Sequence, residues 1–317
     1  MIEILNDIDS SDWKKLIETS DVSTFFQTPV CYNFYESLPF LTPFKLAVKE
    51  NNILVGVAIG YIISDGGKVK SFFSRRAIIP GGLLLHKDIS DNAIQTLLSA
   101  IKRHLQHKAI YIEIRNYNSY ELFKKSILNS GFKYNEHLNF HVKTFDLDSA
   151  LKQLSSTKRR DVKISLKNGA EVVQSSDIND VKCFYSLLDD LYKTKIKLPL
   201  FPYVFFEKII SLSECRLFVV KYENRVIGGS LCVELADKAL YEWFVCGLDR
   251  EIKNVYPSTL ATWAAIEHSA NNNIARLDMM GAGKPDDAYG VRDFKAKFGG
   301  ELVEHGRFIY VVNKLLF

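Results

Sequence analysis

Apolar positions along this chain switch between two periodicities, one typical of helices and one typical of strands. Residues 91–106, DNAIQTLLSAIKRHLQ, place apolar side chains three and four positions apart, which predicts an amphipathic helix. Residues 53–63, ILVGVAIGYII, form a continuous apolar run of about half the ~20 residues that a membrane-spanning helix needs, so they predict a buried strand. Segments of both kinds alternate along the chain. The pattern predicts a mixed α/β fold, with mixed sheets and helices packed on them.

Two long stretches share one order of elements. Residues 46–63, LAVKENNILVGVAIGYII, and residues 218–235, FVVKYENRVIGGSLCVEL, each predict a strand, a polar turn and a second strand. Each is followed by a further strand, a long helix and a strand that ends near an acid, Glu113 in the first half and Asp278 in the second. Each half then closes with another helix, a glycine and a final strand. This order predicts two α/β domains related by internal duplication.

The boundary between the predicted domains falls near residues 144–154, TFDLDSALKQL, where a strand passes into an N-capped helix. We therefore expect domain one at 1–147 and domain two at 148–317. The length of 317 residues suits two domains of about 150 residues each.

Composition excludes several classes of protein. Hydrophobic residues make up 47% and charged residues 25%, which is ordinary for a globular protein, and the acidic N-terminus does not resemble a signal peptide. The five cysteines lack CxxC spacing and are predicted to be reduced core residues rather than metal ligands. A net charge of +4 is too small to indicate nucleic-acid binding by itself. We expect a cytoplasmic protein without a transmembrane segment, or one that works at the inner face of the membrane.

Two segments of the second half are candidates for binding an anion. In STKRRDVKISLKNG (156–169), Arg160, Lys163 and Lys167 lie on one helical face, which fits either a solvated surface or a clamp for phosphates. In NVYPSTL (254–260), a helix is predicted to begin beside Tyr256 and Ser258, directly after a strand. The first N–H groups of such a helix have no partner within it and attract phosphate or carboxylate.

Acids near the ends of predicted strands are candidates for a general base. Asp278 lies in the strand IARLDMMG (274–281), and Glu113 occupies the matching place in AIYIEIRN (109–116). Glu242, in the otherwise apolar strand KALYEWFVCGL (238–248), is the third candidate. Strand ends in α/β sheets border ligand crevices, although a structural hydrogen bond would also explain each acid. The sequence has no nucleophile-elbow motif, no P-loop and no metal-ligand spacing among its seven histidines. Direct attack of an amine on a bound acyl group fits these residues.

The segment GAGKPDDAYGVRDFKAKFGG (281–300) combines a turn with a short helix. Val291, Phe294 and Phe298 form an apolar stripe that should face the core. Arg292 and Lys295 lie one turn apart on another face, without an obvious local partner. We expect Lys295 or backbone N–H groups to stabilise an oxyanion, and Arg292 and Tyr289 to contact substrate. We also expect Lys295→Ala to fold normally.

The order of elements resembles the GNAT acyltransferase fold, and its duplication resembles the FemABX peptidyltransferases, which add amino acids from aminoacyl-tRNA to peptidoglycan precursors. The resemblance rests on four segments: FFQTPVCYNFYES, LSSTKRRDVKISLKNGAEV, YPSTLATWAAIEHS and YGVRDFKAKFGG. The Phe294-Lys295 pair matches a family motif near the acyl-transfer site. NVYPSTL lacks the Q/R-x-x-G-x-G/A turn with which GNAT proteins bind coenzyme A, and the coiled-coil arm common in tRNA-binding members is missing.

The resemblance implies an acyltransferase that moves an acyl or aminoacyl group from an activated, anionic donor to an amine of a cell-envelope precursor. Aminoacyl-tRNA and acyl-CoA both remain open as co-substrates, and no tightly bound cofactor is expected. Domain one would hold the acceptor, with Arg75 and Arg76 as contacts, and domain two would hold the donor. The alternatives are a coenzyme A-dependent N-acetyltransferase acting on a sugar or small amine, and a non-catalytic binding module.

Overall fold

The computed structural model describes residues 1–66, 74–287, 290–313 and 316–317. Its contacts divide the chain into two units, the first made of Met1–His137 with Glu304–Phe317 and the second of Leu138–Val303. Each unit contains one mixed sheet with helices packed against it. The predicted fold class, with a sheet in each half, is confirmed.

The first unit is built on a largely antiparallel sheet in the order β1-β2-β3-β4-β6-β15-β7, with β5 paired to β3. Its strands are β1 (Ile2–Leu5), β2 (Thr42–Glu50), β3 (Ile53–Ile63), β4 (Arg76–Gly81), β5 (Leu84–Leu85), β6 (Tyr111–Asn116), β7 (Lys133–Asn135) and β15 (Arg307–Val311). Its helices are α1 (Ser10–Thr19), α2 (Pro29–Glu36), α3 (Asp91–Leu105) and α4 (Glu121–Asn129). The apolar face of α3 packs on the sheet and forms the main core of this unit.

The second unit is built on a sheet in the order β14-β8-β13-β12-β11-β10-β9. Its strands are β8 (Leu138–Lys143), β9 (Glu171–Gln174), β10 (Cys215–Tyr222), β11 (Arg225–Leu235), β12 (Ala239–Gly247), β13 (Arg276–Gly281) and β14 (Glu301–Glu304). Its helices are α5 (Leu147–Gln153), α6 (Ser156–Lys167), α7 (Ile178–Leu191), α8 (Tyr203–Ile209), α9 (Pro257–Asn271) and α10 (Gly290–Ala296). A π-helical turn, Tyr192–Ile196, follows α7. Helix α9 is buried on most of its surface and packs on β10, β11 and β12.

The two predicted hairpins are structural counterparts. β2–β3 and β10–β11 are antiparallel pairs, and each has a register shift at the matching position, Val48/Lys49 in the first and Val220/Lys221 in the second. Each turn contains two residues with positive φ, 51° and 66° at Asn51 and Asn52, and 48° and 62° at Glu223 and Asn224. Two such residues define the turn that best matches the twist of a hairpin. The spacing that predicted a repeat therefore reflects one shared backbone conformation.

The division of the chain differs from the predicted boundary at 147/148. Strand β8 precedes that boundary, yet it pairs with β13 in the second unit. Strand β15 follows it, yet it pairs with β6 and β7 in the first unit. The predicted N-cap is present, since Asp146 caps α5 through the Ser149 N–H at 2.8 Å. A capping signal locates a helix start, but it carries no information about which sheet the preceding strand joins.

The cysteines are all unpaired thiols, but they do not all lie in the core. Cys31, Cys215, Cys232 and Cys246 are buried, whereas Cys183 is exposed. Cys183 lies on α7, whose buried positions are Val181, Phe184 and Leu188. The expectation of five core cysteines is therefore wrong at Cys183, because the helix turns that position away from its packed face.

Candidate active site in the second unit

Strands β12 and β13 separate in the middle of the second sheet. They pair in parallel only at Leu240–Leu277 and Tyr241–Asp278 among the described residues. Their counterparts in the first unit, β4 and β6, stay paired along their whole length, from Arg76 to Gly81. A register shift in the β11–β12 pair leaves Trp243 as an extra residue between Glu242 and Phe244. The bulge and the separation together open the sheet beside Glu242.

A second bulge lies on β13. Asp278 pairs with His141 and Gly281 pairs with Asn139. β13 therefore advances three residues over the span in which β8 advances two. Met280, within this bulge, has a φ of 57°, a left-handed value that is uncommon outside glycine. The backbone conformation is therefore held by its surroundings rather than by the preference of methionine.

Asp278 supports the β13 bulge with both of its carboxylate oxygens. Oδ1 accepts hydrogen bonds from the Met280 N–H at 2.8 Å and from Asn139 Nδ2 at 2.7 Å, and Oδ2 lies 3.1 Å from His141 Nε2. Burial opposes ionisation of Asp278, but the hydrogen bond and charge of His141, with Arg276 and Asn139, outweigh it and lower the pKa. Asp278 is thus an ionised, fully bonded carboxylate, which suits a structural role better than that of a general base.

Lys295 places its ammonium group at the bulge. Nζ donates to the carbonyl oxygens of Met279 at 2.5 Å, Gly281 at 2.8 Å and Met280 at 3.3 Å. The side chain is buried, which lowers its pKa, while Glu242 and Asp278 act in the opposite direction. Its three N–H bonds thus bind three consecutive backbone carbonyls at the end of β13.

Glu242 is a buried acid with one carboxylate oxygen that lacks a hydrogen-bond partner among the described residues. It is buried, and its Oε1 accepts a hydrogen bond from Ser230 Oγ at 3.2 Å. Burial raises the pKa of Glu242, which Lys295, Thr262 and Ser230 partly offset. Thr262 is close enough to lower this pKa, yet neither Glu242 Oε2 nor Thr262 Oγ1 has a partner in hydrogen-bond geometry among the described residues. A carboxyl with a raised pKa and an unused oxygen is suited to accept a proton from a ligand.

Comparison with known proteins supports the resemblance that the sequence indicated. Residues 210–317, which contain Glu242, Asp278 and Lys295, match the FemAB family model. That segment of the chain is similar to the FemAB family. The structure of FemX is similar to it with a TM-score of 0.77 and 16% identity, covering 99% of this chain and 98% of that chain. No curated protein matches the sequence.

Two further solved structures share the fold of this chain. A tandem GNAT protein from the clavulanic acid pathway has a TM-score of 0.57 and 12% identity, covering 98% of this chain and 99% of its own. L-PGS from Bacillus licheniformis has a TM-score of 0.57 and 12% identity, covering 98% of this chain and 94% of its own. The predicted tandem GNAT fold is therefore confirmed.

Arg292, also within the FemAB match, has local partners that the sequence did not indicate. Its guanidinium donates to the carbonyl oxygens of Ala282 and Pro285, both at 3.0 Å, and of Lys284. Lys295 thus binds the end of β13 and Arg292 binds the turn that follows it, so the expectation that they lack local partners is wrong. Every residue carries a backbone carbonyl, so the sequence does not show which carbonyls a guanidinium will bind. Tyr289 lies outside the described residues, and its contact with substrate stays a prediction.

The start of α9, where the free N–H groups of a helix start predict anion binding, carries a carboxylate of the protein itself. The Ser258 N–H donates to Asp249 Oδ1 at 3.0 Å, and the Tyr256 N–H donates to Ser165 Oγ at 2.9 Å. Lys158 Nζ donates to Thr259 Oγ1 at 2.7 Å and lies 4.0 Å from the Phe294 ring centroid. These bonds occupy donors that a phosphate would need.

The sequence pattern did not indicate Lys158 or Asp249 as residues at the start of α9. Burial lowers the pKa of Lys158, although Asp161 and Asp249 oppose the shift. The neighbouring cations of α6 are exposed, as a basic face requires, and Arg160 lies 3.1 Å from Asp161. The helical spacing identified the exposed cations, but it gave no reason to separate buried Lys158 from them.

Of the two acceptor contacts predicted in the first unit, Arg76 is held in an ion pair, and a second group of ion pairs surrounds Glu113. Arg76 binds both carboxylate oxygens of Asp65 at 3.0 Å, and Arg75 is half-buried. Glu113 lies 2.8 Å from Arg115 and 2.6 Å from Arg307. Burial opposes ionisation of Glu113, but the two guanidinium groups outweigh it and lower its pKa to about 2. Arg307 is remote in sequence, so no local pattern could have identified it.

No helix among the described residues is long and apolar enough to cross a membrane. Within the same part of the chain, no group of three or more His, Cys, Asp or Glu residues is placed to hold a metal ion.

Proposed function

We propose that this protein transfers an acyl or aminoacyl group from an activated donor to an amine of a cell-envelope precursor, such as a peptidoglycan or sugar-nucleotide intermediate. The observation that carries the proposal is the opening between β12 and β13, where Glu242 has a raised pKa and lies near the buried ammonium of Lys295. This pair lies inside the segment that matches the FemAB family. The counterpart strands of the first unit remain paired, which favours the second unit as the reacting one.

Glu242 and Lys295 have separate roles in the proposed reaction. Glu242 takes a proton from the acceptor ammonium, directly or through a water, and the neutral amine attacks the acyl carbon. A C–N bond forms while the carbonyl oxygen becomes an oxyanion. The positive charge of Lys295 and backbone N–H groups of the separated strands stabilise that oxyanion. The intermediate collapses as the C–O or C–S bond breaks. The departing ribose oxygen or thiolate takes up the proton that the attacking nitrogen loses on becoming an amide, and Glu242 releases its proton to solvent.

The start of α9 supports one proposed donor class over the other. A diphosphate bound there would meet the carboxylate of Asp249, which already accepts from the Ser258 N–H. This favours an aminoacyl ester of tRNA over acyl-CoA, because like charges at one helix start repel. The exposed Arg160 and Lys163 are proposed donor contacts, with Tyr256 and Ser258 at the helix start. Arg75 and Arg76 are proposed acceptor contacts in the first unit.

The proposal is tested by measuring transfer from aminoacyl-tRNA and from acetyl-CoA to a sugar-nucleotide muropeptide that carries an amine. Turnover with aminoacyl-tRNA is expected. Thermal unfolding with acetyl-CoA separates the alternative, since a ligand at about 100 times its Kd stabilises by about 2.7 kcal/mol. Stabilisation and turnover with acetyl-CoA alone would establish the N-acetyltransferase instead. Acceptor binding without turnover from either donor would establish the binding module.

Lys295→Ala tests the oxyanion role within the same assay. The variant is expected to lose at least about a hundredfold in kcat, as removal of one oxyanion-stabilising group does in other enzymes. It should also unfold about 1–3 kcal/mol more easily, because three strand carbonyls lose their donor. The variant is still expected to fold. Lys284→Ala, which removes an exposed lysine of the preceding turn, is the control. Unchanged kcat in Lys295→Ala would remove Lys295 from the mechanism.

A further inference from the structure

The three carbonyl groups that hold Lys295 belong to consecutive residues. In a regular strand, successive carbonyls point to opposite sides, so three in a row cannot reach one nitrogen. Met279, Met280 and Gly281 do so because the bulge at Met280 breaks the alternation. The position of the ammonium group therefore depends on a local backbone conformation.

That conformation needs support from outside β13. A non-glycine residue with positive φ costs on the order of 1 kcal/mol or more, so Met280 would not adopt it unaided. The Met280 N–H is bound by Asp278 Oδ1 at 2.8 Å, which provides the support. Asp278 is fully buried, and a buried carboxylate must itself be fixed by donors.

His141 and Asn139 are the side chains that fix Asp278. His141 extends from β8, directly opposite Asp278 in the antiparallel register, and its Nε2 lies 3.1 Å from Asp278 Oδ2. Only 12% of its side chain is exposed, so water does not replace it readily. Asn139 holds the other oxygen at 2.7 Å. Hydrogen bonds thus run from His141 through Asp278 and the bulge to Lys295.

We propose that His141 is a positioning residue of the acyl-transfer site, which acts through Asp278 and the Met280 bulge to hold the ammonium of Lys295 opposite Glu242. The inference rests on the proposed function for its kinetic consequence, but not for its structural one. It also assigns Asp278 a different role from Glu242. Asp278 shapes the site, and Glu242 handles the proton.

The chain offers a matched control for His141. His268 also faces a carboxylate in the second unit, with Nε2 3.4 Å from Glu234 Oε2, and its side chain is 13% exposed. It lies near the end of α9, and its partner Glu234 lies near the end of β11. His141→Phe and His268→Phe therefore remove similar buried pairs, but only the first pair supports Lys295.

The kinetic test compares these variants in the transfer assay. His141→Phe is expected to lower kcat at least about tenfold with KM changed less than about twofold, because misplacement of a catalytic group by under an ångström is costly. His141→Gln, which can still bond to Asp278, should recover most of kcat, and His268→Phe should retain it. In a Lys295→Ala background, His141→Phe should cause little further loss. Equal losses in both phenylalanine variants, or additive losses in the double variant, would overturn the proposal.

A structural readout separates this proposal from the proposed function. In protein labelled with ¹³C-lysine, the Lys295 ε-methylene signal, assigned by its loss in Lys295→Ala, is expected to shift in His141→Phe and to stay in place in His268→Phe. An unmoved Lys295 signal in folded His141→Phe would overturn the positioning role. A moved signal in a protein without turnover from any donor would leave the positioning intact and refute the proposed function alone.

Discussion

At the scale of single residues, two buried acids near Lys295 have opposite protonation tendencies. Asp278 accepts three hydrogen bonds and has a lowered pKa, whereas Glu242 accepts one from Ser230 and has a raised pKa. Both were candidates for a general base in the sequence, because each lies on an apolar strand. Their surroundings assign different roles to them, since hydrogen-bond donors favour the ionised form and burial without donors favours the neutral form.

Glu242→Gln tests this distinction. The substitution keeps the size and removes the proton acceptor, so kcat/KM should fall by about 10² to 10⁴ and the acid limb of its pH profile should disappear. Stability should behave differently. A raised carboxyl pKa contributes stability that is complete below its unfolded value of 4.5 and is lost as pH rises through the folded pKa. Glu242→Gln should therefore match or exceed the wild type in Tm at pH 7. A large loss of Tm with kcat/KM retained would assign Glu242 a structural role.

Glu113 gives the opposite pH dependence. Its folded pKa of about 2 lies below the usual 4.5, so its ion pairs contribute stability above pH 4.5 that is lost as pH falls towards 2. The contribution is on the order of 3 kcal/mol. In urea titrations, the wild type should lose stability between pH 5 and 2, and Glu113→Gln should start less stable and lose less. Parallel pH profiles for the two proteins would contradict the assignment.

At the scale of elements, the close approach of a strand end to a helix start shapes the second unit. A Cβ added at Gly247 would lie 2.4 Å from Ser258 N and 2.6 Å from Ser258 Oγ. Glycine is therefore required for β12 to end against the start of α9. Proximity of this kind was not predicted, because Gly247 and Ser258 belong to different predicted elements and their packing is a tertiary property.

Gly247→Ala should consequently destabilise the protein by about 1–3 kcal/mol, since the added methyl group must displace the first turn of α9. The free energy of unfolding, measured with urea, checks this value. Gly290→Ala is the matched control, because a Cβ there meets nothing within 4 Å. Destabilisation of Gly290→Ala alone would contradict the prediction, as would equal stability of Gly247→Ala and the wild type.

At the scale of the whole molecule, the sequence predicts the internal duplication but not the residues at which the chain divides into its two units. The paired hairpins share a two-residue turn at Asn51–Asn52 and Glu223–Asn224, and such local features are encoded in neighbouring residues. The partners of β8 and β15 are encoded in contacts far along the chain. Because the first unit includes a strand from the C-terminal end of the chain, neither composition nor helix capping can locate a single boundary between the units.

Cutting the chain at 147/148 tests this division. Fragment 1–147 lacks β15, and fragment 148–317 lacks β8, so each loses a strand of its own sheet. Neither fragment alone should show a cooperative thermal transition by circular dichroism, and mixing them should restore one. Independent cooperative folding of both fragments would support the boundary predicted from sequence over the observed one.

The fold class, the repeat, the exposed cations of α6 and the candidates Lys295 and Glu242 could all be predicted from the amino-acid sequence. These depend on periodicity, capping and residue type, which act between neighbours. Only the tertiary structure shows that β12 and β13 separate and that Lys295 is held by three consecutive carbonyls. It also shows that His141 supports Asp278 and that Asp249 binds the start of α9. Each of these is a contact with a backbone or side-chain group on another element, and its partner leaves no mark on the local sequence.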